Sequence, residues 1–102
     1  MTKISSAVEA KVRASFSPQD AEIAITALAM MKEPSPTGEW AATRMRVQAA
    51  IVISSQCQLD ELLIGIANSQ LDWRDTLMNG GLAESNWRSV VKNAGFDIPV
   101  DN

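Results

Sequence analysis

Asp72-Trp73-Arg74-Asp75-Thr76-Leu77-Met78-Asn79-Gly80-Gly81-Leu82 nearly recurs fourteen positions on as Asn86-Trp87-Arg88-Ser89-Val90-Val91-Lys92-Asn93-Ala94-Gly95-Phe96. Trp, Arg, Asn and the closing Gly coincide, and a large apolar residue follows each closing Gly. Each copy carries the start and stop signals of a short helix. Asp72 and Ser85 are N-cap types, whose side-chain oxygens can take the orphan N–H groups of a first turn. Asp75 adds a carboxylate near a positive helix start. Gly80 or Gly81, and then Gly95, can adopt the left-handed conformation that ends a helix. The pattern predicts helices over 73–79 and 86–94. Trp73 and Trp87 each lie in a first turn with their side chains toward a core.

Working back toward the N-terminus, the next segment has amphipathic spacing. Leu59, Leu62, Leu63, Ile66 and Ala67 fall on one stripe, with Asp60, Glu61, Asn68 and Ser69 left for water. Ser55 with Gln58 three later forms a capping-box pattern for its start. From Trp40 to Ile53 apolar residues occupy most sides, so this segment reads as the central core helix, its C-terminal part enclosed. Trp40 is expected to be structural, as are Trp73, Trp87, Asp72, Ser85 and Gly95.

Residues 33–39 read as a surface loop, because Pro34, Pro36 and Gly38 cannot continue a helix. Before it, Ser17-Pro18-Gln19-Asp20 opens a helix running to about Lys32, with Ser17 as cap and Pro18 where no N–H is needed. That helix has two apolar stripes. Ala21, Ala24, Ile25, Leu28 and Ala29 suit a core; Ile23, Ala27, Met30 and Met31 suit either neighbouring helices or a partner. A first helix over 4–15 carries Ile4, Val8 and Val12 four apart. The tail 97–102 reads as flexible. No segment alternates as a strand does. The expectation is an all-α, single-domain bundle of five or six helices without a sheet. The core helix 40–53 packs on 18–32 and 59–69, and the Trp-Arg pair closes one end.

Composition bounds the function. The 102 residues are 46% hydrophobic, enough for one core. The formal net charge is −3, which disfavours nucleic acid or anionic membrane as a partner. The second half carries all of the excess, with Arg74, Arg88 and Lys92 against Asp60, Glu61, Asp72, Asp75, Glu84, Asp97 and Asp101. There is no His, so the commonest general base and metal ligand is missing. The single Cys57 excludes an internal disulfide and reads as a partly buried, inert thiol. No calcium loop or phosphate-cradling glycine loop occurs. Asp60, Glu61, Asp72 and Asp75 are the one carboxylate group that could gather around a hard cation. No metal, no cofactor and no enzymatic activity are expected. Lys3, Glu9, Lys11 and Arg13 interrupt any signal-peptide core, and no apolar run spans a bilayer, so a cytoplasmic location is expected.

Ser17-Pro18-Gln19-Asp20-Ala21-Glu22, Arg46-Val47-Gln48-Ala49-Ala50-Ile51, Leu59-Asp60-Glu61-Leu62 and Asp72-Trp73-Arg74-Asp75 occur in a familiar order. The chain resembles, over roughly residues 16–82, a group of small bacterial helical proteins. These carry a Ser-Pro-Glu-Asp helix start, an Arg-Val-Gln core helix and an Asp-Trp-Arg-Asp motif. Val52-Ile53-Ser54-Ser55 and Gln56-Cys57-Gln58 depart from that pattern, which has Lys-Leu-Ser and a Gly-Asp turn there. The resemblance implies a bacterial source and transfers no site residues.

Two roles follow as expectations. One is a non-catalytic protein that binds another protein, or a second copy of itself, in a regulatory, antitoxin or immunity-like role. Arg74, Arg88, Lys92, Met30 and Met31 are its candidate contact residues, because Arg, Trp and surplus apolar surface favour interfaces. The acidic second half would suit a basic partner. The other is a DNA-binding regulator with a helix-turn-helix-like pair at 73–94, where Asn86, Arg88, Ser89, Lys92 and Asn93 would face a groove.

Overall fold

A computed structural model describes residues 4–31 and 39–96, with the side chains of 39–43 left out of the description. Trp40 and most of the 33–39 loop therefore lie outside what can be described, as does the tail 97–102. Six helices occur among the described residues, with no strand: α1 (Ser6–Ser15), α2 (Pro18–Ala29), α3 (Glu39–Ser55), α4 (Leu59–Leu71), α5 (Trp73–Asn79) and α6 (Trp87–Asn93). The fold is all-α, as the periodicities imply. No helix among these residues is long and apolar enough to cross a membrane.

The starts of α1 and α2 follow from side-chain chemistry. Ser5 accepts a hydrogen bond from the Val8 N–H at 3.2 Å, and Ser17 accepts one from the Asp20 N–H at 3.3 Å. Pro18 occupies the first turn of α2, where its missing N–H is not needed. Val8, Val12 and Phe16, four apart, enter the core from α1. On the surface, Arg13 joins the two helices by pairing with Glu9 at 3.2 Å and Glu22 at 2.6 Å.

The second helix ends at Ala29, ahead of the expected Lys32, where Met30 N–H turns to the Ala27 carbonyl and Met31 N–H to that of Leu28. Gln48, fully buried in the middle of α3, donates from Nε2 to the Leu28 carbonyl at 3.1 Å. The Leu28 carbonyl also accepts from the Met31 N–H at 3.3 Å, so the Gln48 side chain adds a second bond there and ties the end of α2 to the central helix.

The central helix behaves as expected in its C-terminal half: Val47 through Val52 are buried without a break. It then runs two residues past Ile53. Ser55 is not the cap of α4. It is buried in the last turn of α3, and its hydroxyl bonds back to the Val52 carbonyl at 2.7 Å. A serine that satisfies itself this way does not break a helix. The break falls at Gln56 and Cys57, both left-handed with φ of 51° and 64°. Gln58 precedes α4 without any side-chain cap.

Around α3 pack α4, α5 and α1, whereas α2, expected to lie along the central helix, packs on α1 and α4 and reaches α3 chiefly through Gln48. Gly65 of α4 lies close enough that an added Cβ would stand 3.2 Å from Ile51 Cγ2. Gly80, at the end of α5, is closer still: a Cβ there would lie 2.7 Å from the Ala50 Cα and 2.8 Å from its carbonyl oxygen. Only glycine permits that approach of one backbone to another.

Candidate interaction surfaces

The recurring sequence at the C-terminus is first of all a capping device. Leu82 N–H donates to the Leu77 carbonyl at 2.8 Å and Gly81 N–H to Met78 at 3.1 Å. Fourteen residues on, Phe96 donates to Val91 at 3.2 Å and Gly95 to Lys92 at 3.0 Å. Both are Schellman endings, with Gly81 at φ 76° and Gly95 at φ 101° in the left-handed position. The residues that bracket each ending, Leu77 with Leu82 and Val91 with Phe96, are all buried.

The two starts differ. Asp72 accepts from the Arg74 N–H at 3.0 Å. Ser85 is not the cap of α6; Asn86 holds that place, and its side chain makes no capping bond. The chain enters α6 through a turn closed by Trp87 N–H to the Glu84 carbonyl at 3.1 Å, so Ser85 is an exposed turn residue. Its hydroxyl sits one position too early for the first-turn donors. Residues 80–86 separate α5 from α6, longer than the three or four residues that join a helix-turn-helix.

Trp73 and Trp87 are half-buried and pack against the core, as their places in the first turns imply. Each is also covered by its following arginine: Arg74 Cζ stands 5.1 Å from the Trp73 ring centre and Arg88 Cζ 4.6 Å from that of Trp87. A second guanidinium, Arg46 of α3, lies 5.2 Å from the Trp87 ring. Arg46 Nε donates to the Leu82 carbonyl at 2.7 Å, and Nη2 reaches the Glu84 carbonyl at 3.5 Å. Partial burial, and then the nearby charge of Arg88, hold its pKa below the ordinary arginine value.

The other proposed contact residues divide. Arg74, Arg88, Lys92 and Met30 are exposed, Met30 to 67%. Met31 is not: at 6% exposure it belongs to the core, because the chain turns inward at the end of α2. Cys57 is exposed, not partly buried, since the left-handed link carries it out of both helices. Asp60, Glu61, Asp72 and Asp75 do not converge; no cluster of three or more His, Cys, Asp or Glu among the described residues could hold a metal ion.

The surface that sequence reading missed is the outer side of α4. Its buried line is Leu62, Ser69 and, partly, Leu59 and Ile66. Ser69, expected in water, is buried and bonds back to the Ile66 carbonyl at 2.7 Å. Leu63 and Ala67, expected in the core, are exposed instead. With them stand Ile64, 53% exposed, and Leu71, 87% exposed. Leu63, Ile64, Ala67 and Leu71 share one side of a helix turning 100° per residue. An open depression of about 170 Å³ adjoins it, lined by Ser54, Glu61, Ile64, Gly65, Asn68, Thr76 and Asn79. The helix carries Asp60 and Glu61 and no Lys or Arg. Leu62-Leu63-Ile64 is apolar in every direction, so periodicity alone could not tell which of its residues turn inward.

Comparison with protein families, with curated proteins and with solved structures gives no match. Function therefore rests on the surfaces themselves.

Proposed function

We propose that this chain is a non-catalytic protein-binding module whose docking surface is the outer face of α4. The observation that carries this reading is the apolar row Leu63, Ile64, Ala67 and Leu71, uncovered on the described chain and flanked by carboxylates. Large exposed apolar residues in a contiguous row mark binding surfaces. The charge chooses the occupant. A parallel second copy of α4 would bring Asp60 and Glu61 against their own kind, and an antiparallel one would leave them facing a helix without Lys or Arg. A basic amphipathic helix, by contrast, would lay its apolar stripe on the row and its cations on the rim. The depression beside Ile64 has the polar lining a Lys or Arg side chain needs, with the Glu61 carboxylate and the Asn68 and Asn79 amides. A regulatory, antitoxin or immunity-like role would use such a surface, in a bacterial cytoplasm.

The test is an NMR titration with a synthetic amphipathic helical peptide of Leu and Lys, beside a Leu and Glu peptide of the same pattern. The Leu-Lys peptide is expected to shift the amides of Ile64, Gly65, Asn68 and Leu71, and Glu61→Lys is expected to weaken it about tenfold. Equal response to both peptides, or shifts confined to other helices, would sink the proposal.

A further inference from the structure

A second binding feature stands independently of the α4 face. Arg46 and Arg88 lie within 5.2 and 4.6 Å of the same Trp87 ring centre, so their separation is bounded by the sum of those distances. Among the described residues no carboxylate pairs with either; Arg46 is met by the backbone carbonyls of Leu82 and Glu84. Two cations gathered on one ring repel each other; partial burial first, and then the charge of Arg88, hold the Arg46 pKa below the ordinary value.

The arrangement is also held from beneath. Trp87 packs on the core, and Arg46 is fixed through Nε to the carbonyl of Leu82, itself fully buried. That bond leaves the Nη1 side of the Arg46 fork without a protein acceptor among the described residues, and the Arg88 guanidinium makes no hydrogen bond to them. Planar guanidinium donors match the oxygens of phosphate in pairs, and an already oriented fork loses less freedom on binding.

We propose that Arg46 and Arg88, framed on Trp87, form a binding site for a phosphomonoester dianion. The dianion bridges the two guanidiniums and cancels the repulsion between them. The indole keeps both guanidiniums close by cation–π attraction, and their N–H donors take the oxygens. Lys92, exposed on the same short helix, supplies further positive potential and is not required for the clamp.

Arginine Nε–H resonances and the indole N–H of Trp87 report the test directly. Inorganic phosphate, phosphoserine and a phosphoserine peptide are titrated in turn, each against sodium chloride of equal ionic strength. Saturable shifts at Arg46, Arg88 and Trp87 are expected with phosphate and absent with chloride. Arg88→Ala, an exposed change that leaves the core intact, is expected to weaken binding about tenfold, the scale of one lost charged hydrogen bond. Arg46→Lys, which keeps charge and loses the fork, is expected to weaken it also. Tighter binding of the peptide than of inorganic phosphate would assign the dianion to a modified protein; equal binding would assign it to a small molecule. Matching shifts with chloride, or undiminished binding by Arg88→Ala, would overturn the site. So would duplex DNA displacing phosphate with an affinity indifferent to Arg88→Ala.

Discussion

The two copies of the C-terminal pattern end alike and pack differently. Leu77 to Leu82 and Val91 to Phe96 close with the same pair of backbone bonds. Yet Gly80 of the first copy lies against the Ala50 backbone, and the residue fourteen positions on is already an alanine, half-buried Ala94. The first copy is wedged into the central helix. The second lies beside it, attached through Val91, Phe96 and the ring of Trp87. Local sequence specifies how a helix ends; what the end meets is set by residues far along the chain.

That difference can be broken at one atom. Gly80→Ala places a methyl 2.7 Å from the Ala50 Cα, where backbone rather than a flexible side chain must give. A loss of about 3 kcal/mol is expected in chemical denaturation, the upper range for overpacking. The matching change in the second copy, Ala94→Gly, is expected to cost at most about 1 kcal/mol, the propensity difference alone. Comparable losses from the two would refute the wedge.

The shared endings should respond together. Gly81→Ala and Gly95→Ala each force a Cβ into the left-handed region, at a cost of about 1 kcal/mol. The space at Gly81 is open, whereas a Cβ at Gly95 meets the end of the Lys11 side chain, its ammonium at 2.8 Å, which can swing away. Thermal melts of the two variants should therefore fall by similar amounts. A much larger drop for Gly95→Ala would mean that Lys11 is held in place.

The smallest effect separates the starts. Asp72→Ala removes a capping acceptor for the Arg74 N–H and is expected to cost about 1 kcal/mol. Asn86→Ala removes no capping bond and should leave the melting temperature almost unchanged. Equal losses would show that Asn86 caps α6 in solution after all.

The fold was largely legible because its signals are local. Ser17-Pro18 opens a helix by chemistry contained in three residues, and the Gly81 and Gly95 endings likewise need nothing distant. What sequence could not show depends on separated partners: Gln48 reaching Leu28, Arg46 reaching Leu82, and Ala50 requiring Gly80. Ser55 and Ser69 misled for a related reason. Both look like surface or boundary residues, and both become buried by bonding to their own helix. Of the candidate contact residues, the exposure of the two arginines was readable from their places beside the tryptophans. Met31 was not, because its inward turn depends on where α2 stops.

The account's central claim is that a basic helical partner docks on α4 and not on the Trp-Arg copies. The direct measurement is the affinity of the Leu-Lys helical peptide for the unaltered chain, for Ile64→Asp and for Arg88→Ala. The account predicts a loss of about tenfold or more for Ile64→Asp, which breaks the apolar row, and no loss for Arg88→Ala. The reverse order, with Ile64→Asp folded and still binding, would contradict it and return the docking surface to the arginines.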